Sequence, residues 1–397
     1  MLPLKFRVHG IKAGSIERFH ENLYLGLEAG AKLASAAEGG GFAPERNTFI
    51  GSGAGSNQIT GSSNTYVGAA AGRIANTGFG NTVLGAYAGA TLATGSFNTY
   101  VGFVAGGSLG NGGSKNTMAG YSAGSWQESS VGNTYLGHRA GNTTKAGSGN
   151  VVVGNDAALS DVFGSGIGNH NVIIGDSSAV GIALANRNTL VGRRSGLALS
   201  TGNNNVMLGD SAGYNNTTGS HNTYLGKGAM GNAVNLQNAT AIGHLAMAGA
   251  NNTLVLGSIT GVNGATANVN VGIGTTTPTA RLQVQGDIRL SEKLLRPSTG
   301  NANLVPIAYG NIAANGNIES GSGNFTVTLD ANNVYLIQIT SENYTTTGYI
   351  TQITYRGTAA YFTAANANAN RLTVRIYAAA APATATLAPF MFVTYKP

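Results

Sequence analysis

The sequence predicts an all-β protein: a parallel β-solenoid with coils of about 17 residues, expected to be trimeric, followed by a C-terminal antiparallel β-sandwich. Three observations carry that expectation. First, a unit of the form Asn-Thr-apolar-aliphatic-Gly-x-x-Ala-Gly recurs, as in Asn47-Thr48-Phe49-Ile50-Gly51, Asn64-Thr65-Tyr66-Val67-Gly68 and Asn222-Thr223-Tyr224-Leu225-Gly226. Its first glycine falls at Gly26, Gly51, Gly68, Gly85, Gly102, Gly120, Gly137, Gly154, Gly175, Gly192, Gly209, Gly226, Gly243 and Gly257. Nine of those thirteen intervals are 17 residues and the others are 25, 18, 21 and 14. A fixed period of this kind marks stacked supersecondary units. Second, the apolar residues keep one phase within every unit. Third, the beat is lost after residue 300, where apolar and polar residues alternate instead.

Residues 1–21 precede the first unit and hold Lys5, Arg7, Lys12, Glu17, Arg18 and Glu21 at unusual density for a chain that is 9% charged. They read equally as an attachment segment for a particle and as a solvated cap. A cap is needed in any case, because an open solenoid end pairs with other edges.

Residues 22–257 are the repeat shaft. The fourth position of each unit is aliphatic (Leu25, Ile50, Val67, Leu84 and onward), and the third is apolar too (Tyr24, Phe49, Tyr66, Val83). Neighbouring strand residues point to opposite faces, and a strand apolar on both faces is expected to be buried on both. One face lines the coil. The other needs a partner, which identical chains around a common axis would supply. The glycines mark corners that need positive φ or close backbone approach. The small eighth position (Ala54, Ala71, Ala88) predicts a tight inner turn. Asparagine leads twelve of the fourteen units, so stacking predicts an amide ladder from coil to coil. Fourteen coils at ~4.8 Å each give a rod of roughly 65 Å.

Residues 258–300 form a linker or neck. Residues 301–397 alternate in Phe325–Leu329, Tyr335–Thr340, Tyr349–Tyr355, Leu372–Tyr377 and Phe390–Tyr395, which predicts antiparallel strands. Thr345–Gly348 and Ala364–Asn370 read as loops between them.

The repeat unit resembles the β-roll heads of trimeric autotransporter adhesins, and more closely the repeats in tail-fibre proteins of bacteriophages and of phage-like contractile injection systems. Val271-Gly-Ile-Gly-Thr275…Leu282-Gln-Val-Gln-Gly286 resembles a segment common in fibre and surface proteins just before a C-terminal module. Together the resemblances cover about residues 22–290. They imply a homotrimeric fibre that attaches a particle to a cell surface, with a particle or baseplate protein at its N-terminus and a glycan or protein receptor at its C-terminal tip. They also imply a virion or extracellular particle, or alternatively a bacterial cell surface if the chain is an adhesin lacking its anchor. A coiled-coil stalk, a membrane barrel and a self-cleaving chaperone are not visible in the sequence.

Composition narrows the chemistry. The net charge of +7 is the difference between 22 basic and 15 acidic residues spread along the chain, and no Lys/Arg cluster suggests nucleic-acid binding. There is no cysteine for a disulfide or thiolate metal site. No run approaches the ~18 apolar residues of a membrane span, and the N-terminus lacks the apolar run of a secretory signal. Release as part of a particle is therefore expected.

Site expectations follow. Tyr344, Tyr349, Tyr361 and Phe362 are candidates for stacking on a glycan, weighed against simple packing. Asp176, Arg193, Asp210 and Lys227 share one column of consecutive coils and read as an ion ladder holding register, not as the carboxylate pair of a polysaccharide-degrading tailspike. His138 shares a column with His244, and His170 with His221, without a His-x-His pair. The single Thr column, interrupted by Val151, Val172 and Val206, lacks the paired arrays of ice-binding solenoids. No catalytic residue, metal or cofactor is expected.

Overall fold

The computed structural model describes residues 4–17, 20–33, 44–107, 112–126, 129–142, 147–159, 166–289, 291, 306–358 and 361–396. They fall in two compact units, Met1–Asp287 and Ile288–Pro397. Among the described residues there is no helical element, and none long and apolar enough to cross a membrane.

The first unit is the solenoid. Fourteen short strands, from Asn22–Leu25 to Leu254–Leu256, stack parallel in chain order. Each pairs in the register that lays equivalent repeat positions on one another, as in Tyr66↔Val83 and Val67↔Leu84. The longer intervals keep that register: Thr99 pairs with Thr117 and Val151 with Val172. The surplus residues are therefore taken up outside the strands.

The third position is fully buried in coil after coil, from Tyr24, Phe49 and Tyr66 to Met207 and Tyr224. Its rings stack along the coil interior, with Phe49 and Tyr66 4.8 Å apart and 4° from parallel. The small eighth position is buried as well, because these bulky residues leave room only for a methyl or hydroxymethyl group opposite them. The fourth position lies on the other face of the strand. Within one chain Leu84, Leu208 and Leu256 are 48%, 43% and 46% exposed, so only one face of the repeat strand is buried by its own coil.

The amide ladder forms as expected. The buried Asn at the head of each unit accepts at Oδ1 from the backbone N–H one coil later, at 2.8–3.0 Å from Asn22→Asn47 through Asn222→Ala239. Its Nδ2 donates to a turn carbonyl, such as Gly78 O from Asn64 at 2.9 Å and Gly202 O from Asn188 at 3.0 Å. Buried polar groups are costly unless paired, and this one side chain satisfies two backbone groups in every coil.

The corner glycine is required on two counts. Gly192 has φ +132°, and a Cβ there would stand 2.4 Å from Gly209 O of the next coil. Coils stack closely only because these corners carry no side chain.

At the N-terminal end, Leu4–Val8 and Ile11–Glu17 form a hairpin turned by His9 and Gly10, both at positive φ as a two-residue loop prefers. Ile11–Glu17 then pairs antiparallel with Asn22–Leu25 and covers the hydrogen-bonding edge of the first coil strand. The neck holds one small parallel pair, Val271–Ile273 with Leu282–Val284.

The second unit is antiparallel throughout. One sheet runs Ile318–Gly321, Pro306–Ile312, Phe390–Tyr395, Ile350–Tyr355 in spatial order. The other runs Phe325–Leu329, Tyr335–Ile339, Arg371–Ala378, Tyr361–Asn368, with Ala381–Ala385 also on Arg371–Ala378. Residues of both sheets share one core that includes Ile312, Tyr335, Ile337, Val374, Phe390 and Phe392. The stretch read as a loop over 364–370 is instead strand to Asn368, closed onto Arg371 by Ala369 and Asn370 at positive φ.

Replacing Asn188 with Ala removes the acceptor for Asn205 N–H and the donor to Gly202 O. Two buried groups lose their partners at about 1–3 kcal/mol each, so we expect a loss of roughly 2–6 kcal/mol. Denaturant unfolding, with amide exchange accelerated around Thr189–Val191, checks this. Burial also pushes the Tyr224 phenol up to about 12 and raises those of Tyr24 and Tyr66. A raised folded pKa gives stability that is fully present below the unfolded value near ~10 and is lost as pH rises through the folded one. The shaft should therefore weaken from about pH 10 to 12, with core phenolate absorbance rising only as the coils open.

Candidate functional site

Strand alternation in the four-stranded sheet sends Ala308, Gly310 and Ile312 inward and Tyr309 and Asn311 outward; Phe390 and Phe392 point in, Met391, Val393 and Tyr395 out. Gly310 is glycine because a Cβ would meet Phe325 at 2.3 Å, displacing the edge-to-face pair that Phe325 makes with Phe392 at 5.0 Å. Pairing aligns the outward residues in cross-strand rows. Gln352, Val393 and Tyr309 form one; Thr354, Met391, Asn311 and Ser320 a second; Ile350, Tyr395 and Pro306 a third. Asn311 Nδ2 donates to Ser320 Oγ at 2.7 Å, fixing one rim.

Apart from Ile350, these rows line an open groove of about 460 Å³. Its walls offer two phenol rings, the apolar Met391 and Val393, and the amides and hydroxyls of Asn311, Gln352, Ser320 and Thr354. No carboxylate, imidazole, amine or guanidinium lines it. Such a lining can stack on and hydrogen-bond a neutral ligand.

The tyrosines singled out from sequence lie elsewhere. Tyr344 and Tyr349 are core residues, 3% and 8% exposed, stacked on each other at 5.0 Å. The Tyr344 hydroxyl bonds Thr351 Oγ1 at 2.9 Å, which in turn meets Thr394 Oγ1 at 3.0 Å. Tyr349 donates to Glu342, whose carboxylate also takes the Lys396 ammonium at 2.9 Å. Burial, then the Glu342 contact, raises the Tyr349 pKa. Both expectations of glycan stacking are corrected: two large rings next to a chain turn filled the sandwich instead. Tyr361 is half-buried against Tyr355 at 4.4 Å, and the Phe362 side chain lies outside the described residues. Tyr309 and Tyr395 were missed. Both phases of Phe390–Tyr395 are apolar, so the sequence does not say which side faces out, and Gly310 hides the strand that carries Tyr309.

Of the expected ion ladder, the structure brings Arg193 and Asp210 together at 3.1 Å. Asp176 accepts from Asn155 Nδ2 at 3.0 Å and from Ser177 Oγ at 3.3 Å. Asp210 is held below the usual carboxylate range by the Ser211 hydroxyl first and by Arg193, with Lys227 acting only through its charge. The column is thus one ion pair and one amide–carboxylate pair. His138 stacks on Tyr121 at 5.2 Å and lies 3.5 Å from Asp156. Among the described residues no three His or carboxylate groups converge to hold a metal.

No protein-family model matches the chain, and no curated protein matches it either.

Tyr309→Ala at an exposed ring and Tyr395→Ala at an outward, half-buried one should lower the melting temperature far less than a core substitution, since changes outside the core cost little. Tyr344→Ala should destabilise the C-terminal unit by about 3–5 kcal/mol, the range for emptying a buried aromatic site. Calorimetry on the three variants separates surface rings from core rings.

Proposed function

We propose that this protein is a non-enzymatic homotrimeric fibre that attaches a phage or contractile injection particle to a cell surface. The observation that carries this reading is the outward column of aliphatic residues at the fourth repeat position, left uncovered by its own coil along the shaft. Monomers rarely leave so long an apolar row in water. Because the row repeats with every coil, its best complement is another copy of itself, and closed symmetric assembly satisfies every copy alike. The N-terminal hairpin, with Leu4, Phe6, Val8 and Ile11 exposed, is the segment that faces the particle. Target binding falls to the C-terminal unit, where the face around Tyr309 and Tyr395 is a non-repeating surface. A neutral glycan or a peptide suits its lining.

The native species should have about three times the 40.0 kDa chain mass at low micromolar concentration. Leu208→Lys with Leu225→Lys should dissociate it while leaving the coils folded. A chain ending at Gly300 should keep the rod and lose cell attachment. A parent mass near one chain rejects the assembly, and a truncated rod that still binds cells rejects the assignment of binding to the C-terminal unit.

A further inference from the structure

A second groove lies on the shaft. Its volume is about 500 Å³, within the ~300–1,000 Å³ of small-molecule sites. Two adjacent columns line it. One is an outer amide ladder, in which Ser148, Asn169 and Asn186 N–H donate to Asn169, Asn186 and Asn203 Oδ1 at 2.7–2.9 Å. The other, from consecutive coils, reads His170, Arg187, Asn204, His221. At ~4.8 Å per coil these four span roughly 15 Å.

The second column is built at a cost. His170, Arg187, Asn204 and His221 have φ between 55° and 60°, the left-handed region that side chains other than Gly and Asn enter with strain. The position keeps this φ in every coil: Glu21, Arg46, Ser63, Phe97 and Lys115 share the cost, while Gly80, Gly132, Gly149, Asn238 and Asn252 avoid it. The backbone is nevertheless pinned: Arg187 N–H donates to Asn169 O at 2.9 Å, and His221 N–H to Asn203 O at 2.9 Å. The side chains therefore project from a rigid wall.

Charge supplies the second observation. Where the same column carries Arg46, the chain gives it Glu21 at 3.2 Å and Glu45 at 3.6 Å. Beside Arg187 the corresponding neighbours are His170 and Asn186, and no carboxylate lines the groove. Arg187 stands in the column between His170 and Asn204, with no ion pair among the described residues.

We propose that this groove binds a carboxylate-bearing saccharide, a unit of an acidic polysaccharide. Arg187 takes the carboxylate, a geometry guanidinium suits, and the imidazoles and Asn204 take ring hydroxyls along the column. A bare anion would engage Arg187 alone and leave the rest of the groove unused. The site goes beyond the attachment proposed for the C-terminal unit and does not depend on it.

The test titrates the full chain calorimetrically with tetragalacturonate, its neutral methyl ester, inorganic phosphate and a single-stranded oligonucleotide. Tetragalacturonate should bind saturably, with the ester at least about tenfold weaker, as expected for loss of a charge-assisted hydrogen bond. Arg187→Asn should weaken tetragalacturonate by a similar factor without lowering the melting temperature, since Asn tolerates positive φ better than Arg. Tyr309→Ala should bind it unchanged. Absence of saturable binding, equal binding of the ester, the phosphate or the oligonucleotide, or an Arg187→Asn chain that titrates like the parent, overturns the proposal. Loss in Tyr309→Ala with Arg187→Asn intact would assign the acidic sugar to the C-terminal unit and also overturn it.

Discussion

The buried asparagine amide at the head of each coil is the interaction on which the shaft depends. Each coil owns only three or four strand residues, too few for a sheet to specify its own register. The interior is buried, so a turn carbonyl and an amide N–H near the corner would be left without partners. Asn64, Asn188 and their equivalents pair both at once. A neighbouring coil slipped by one residue would lose both bonds. The ladder therefore fixes register, register stacks the third-position side chains inward, and inward stacking leaves the fourth position outside. The run ends where Asn222 accepts from Ala239, the first unit that no longer begins with Asn.

Much of this was legible because repetition multiplies a weak local signal. A single Asn-Thr-Tyr-Leu-Gly carries little information, but fourteen in phase identify the ladder, the inner turn and the buried third position together. What the repeat could not reveal was which apolar face its own coil covers. The fourth position is apolar and yet uncovered in one chain, and a sequence pattern alone does not tell such a face from a covered one. The charge column shows a different limit. Asp176, Arg193, Asp210 and Lys227 share an address, yet each long side chain chooses among several neighbours. Ser177 and Asn155 satisfied Asp176 before Arg193 was needed.

The C-terminal unit lacks that amplification. Phe325–Leu329, Tyr335–Ile339 and Phe390–Tyr395 were readable from alternation, whereas Pro306–Ile312 carries a glycine and an asparagine, and Tyr361–Asn368 is mostly Ala and Asn. Their pairing comes from neighbouring strands, not from their own propensity. The aromatic residues follow the same logic. Tyr344 and Tyr349 flank a loop, a position that favours exposure, but Thr351 and Glu342 give their hydroxyls partners within the unit. Tyr309 and Tyr395 have no such partners inside and lie on the open face.

Strand register that survives intervals of 18 and 21 residues has a consequence for how such a chain changes over generations. Duplication of one unit lengthens the reach by about 4.8 Å, and the new coil meets neighbours it already fits. Extra residues between units leave the strand register unchanged, so small insertions need not disturb the stack. Length and surface texture can therefore drift separately in this gene, one by gain or loss of whole repeats and the other by small insertions.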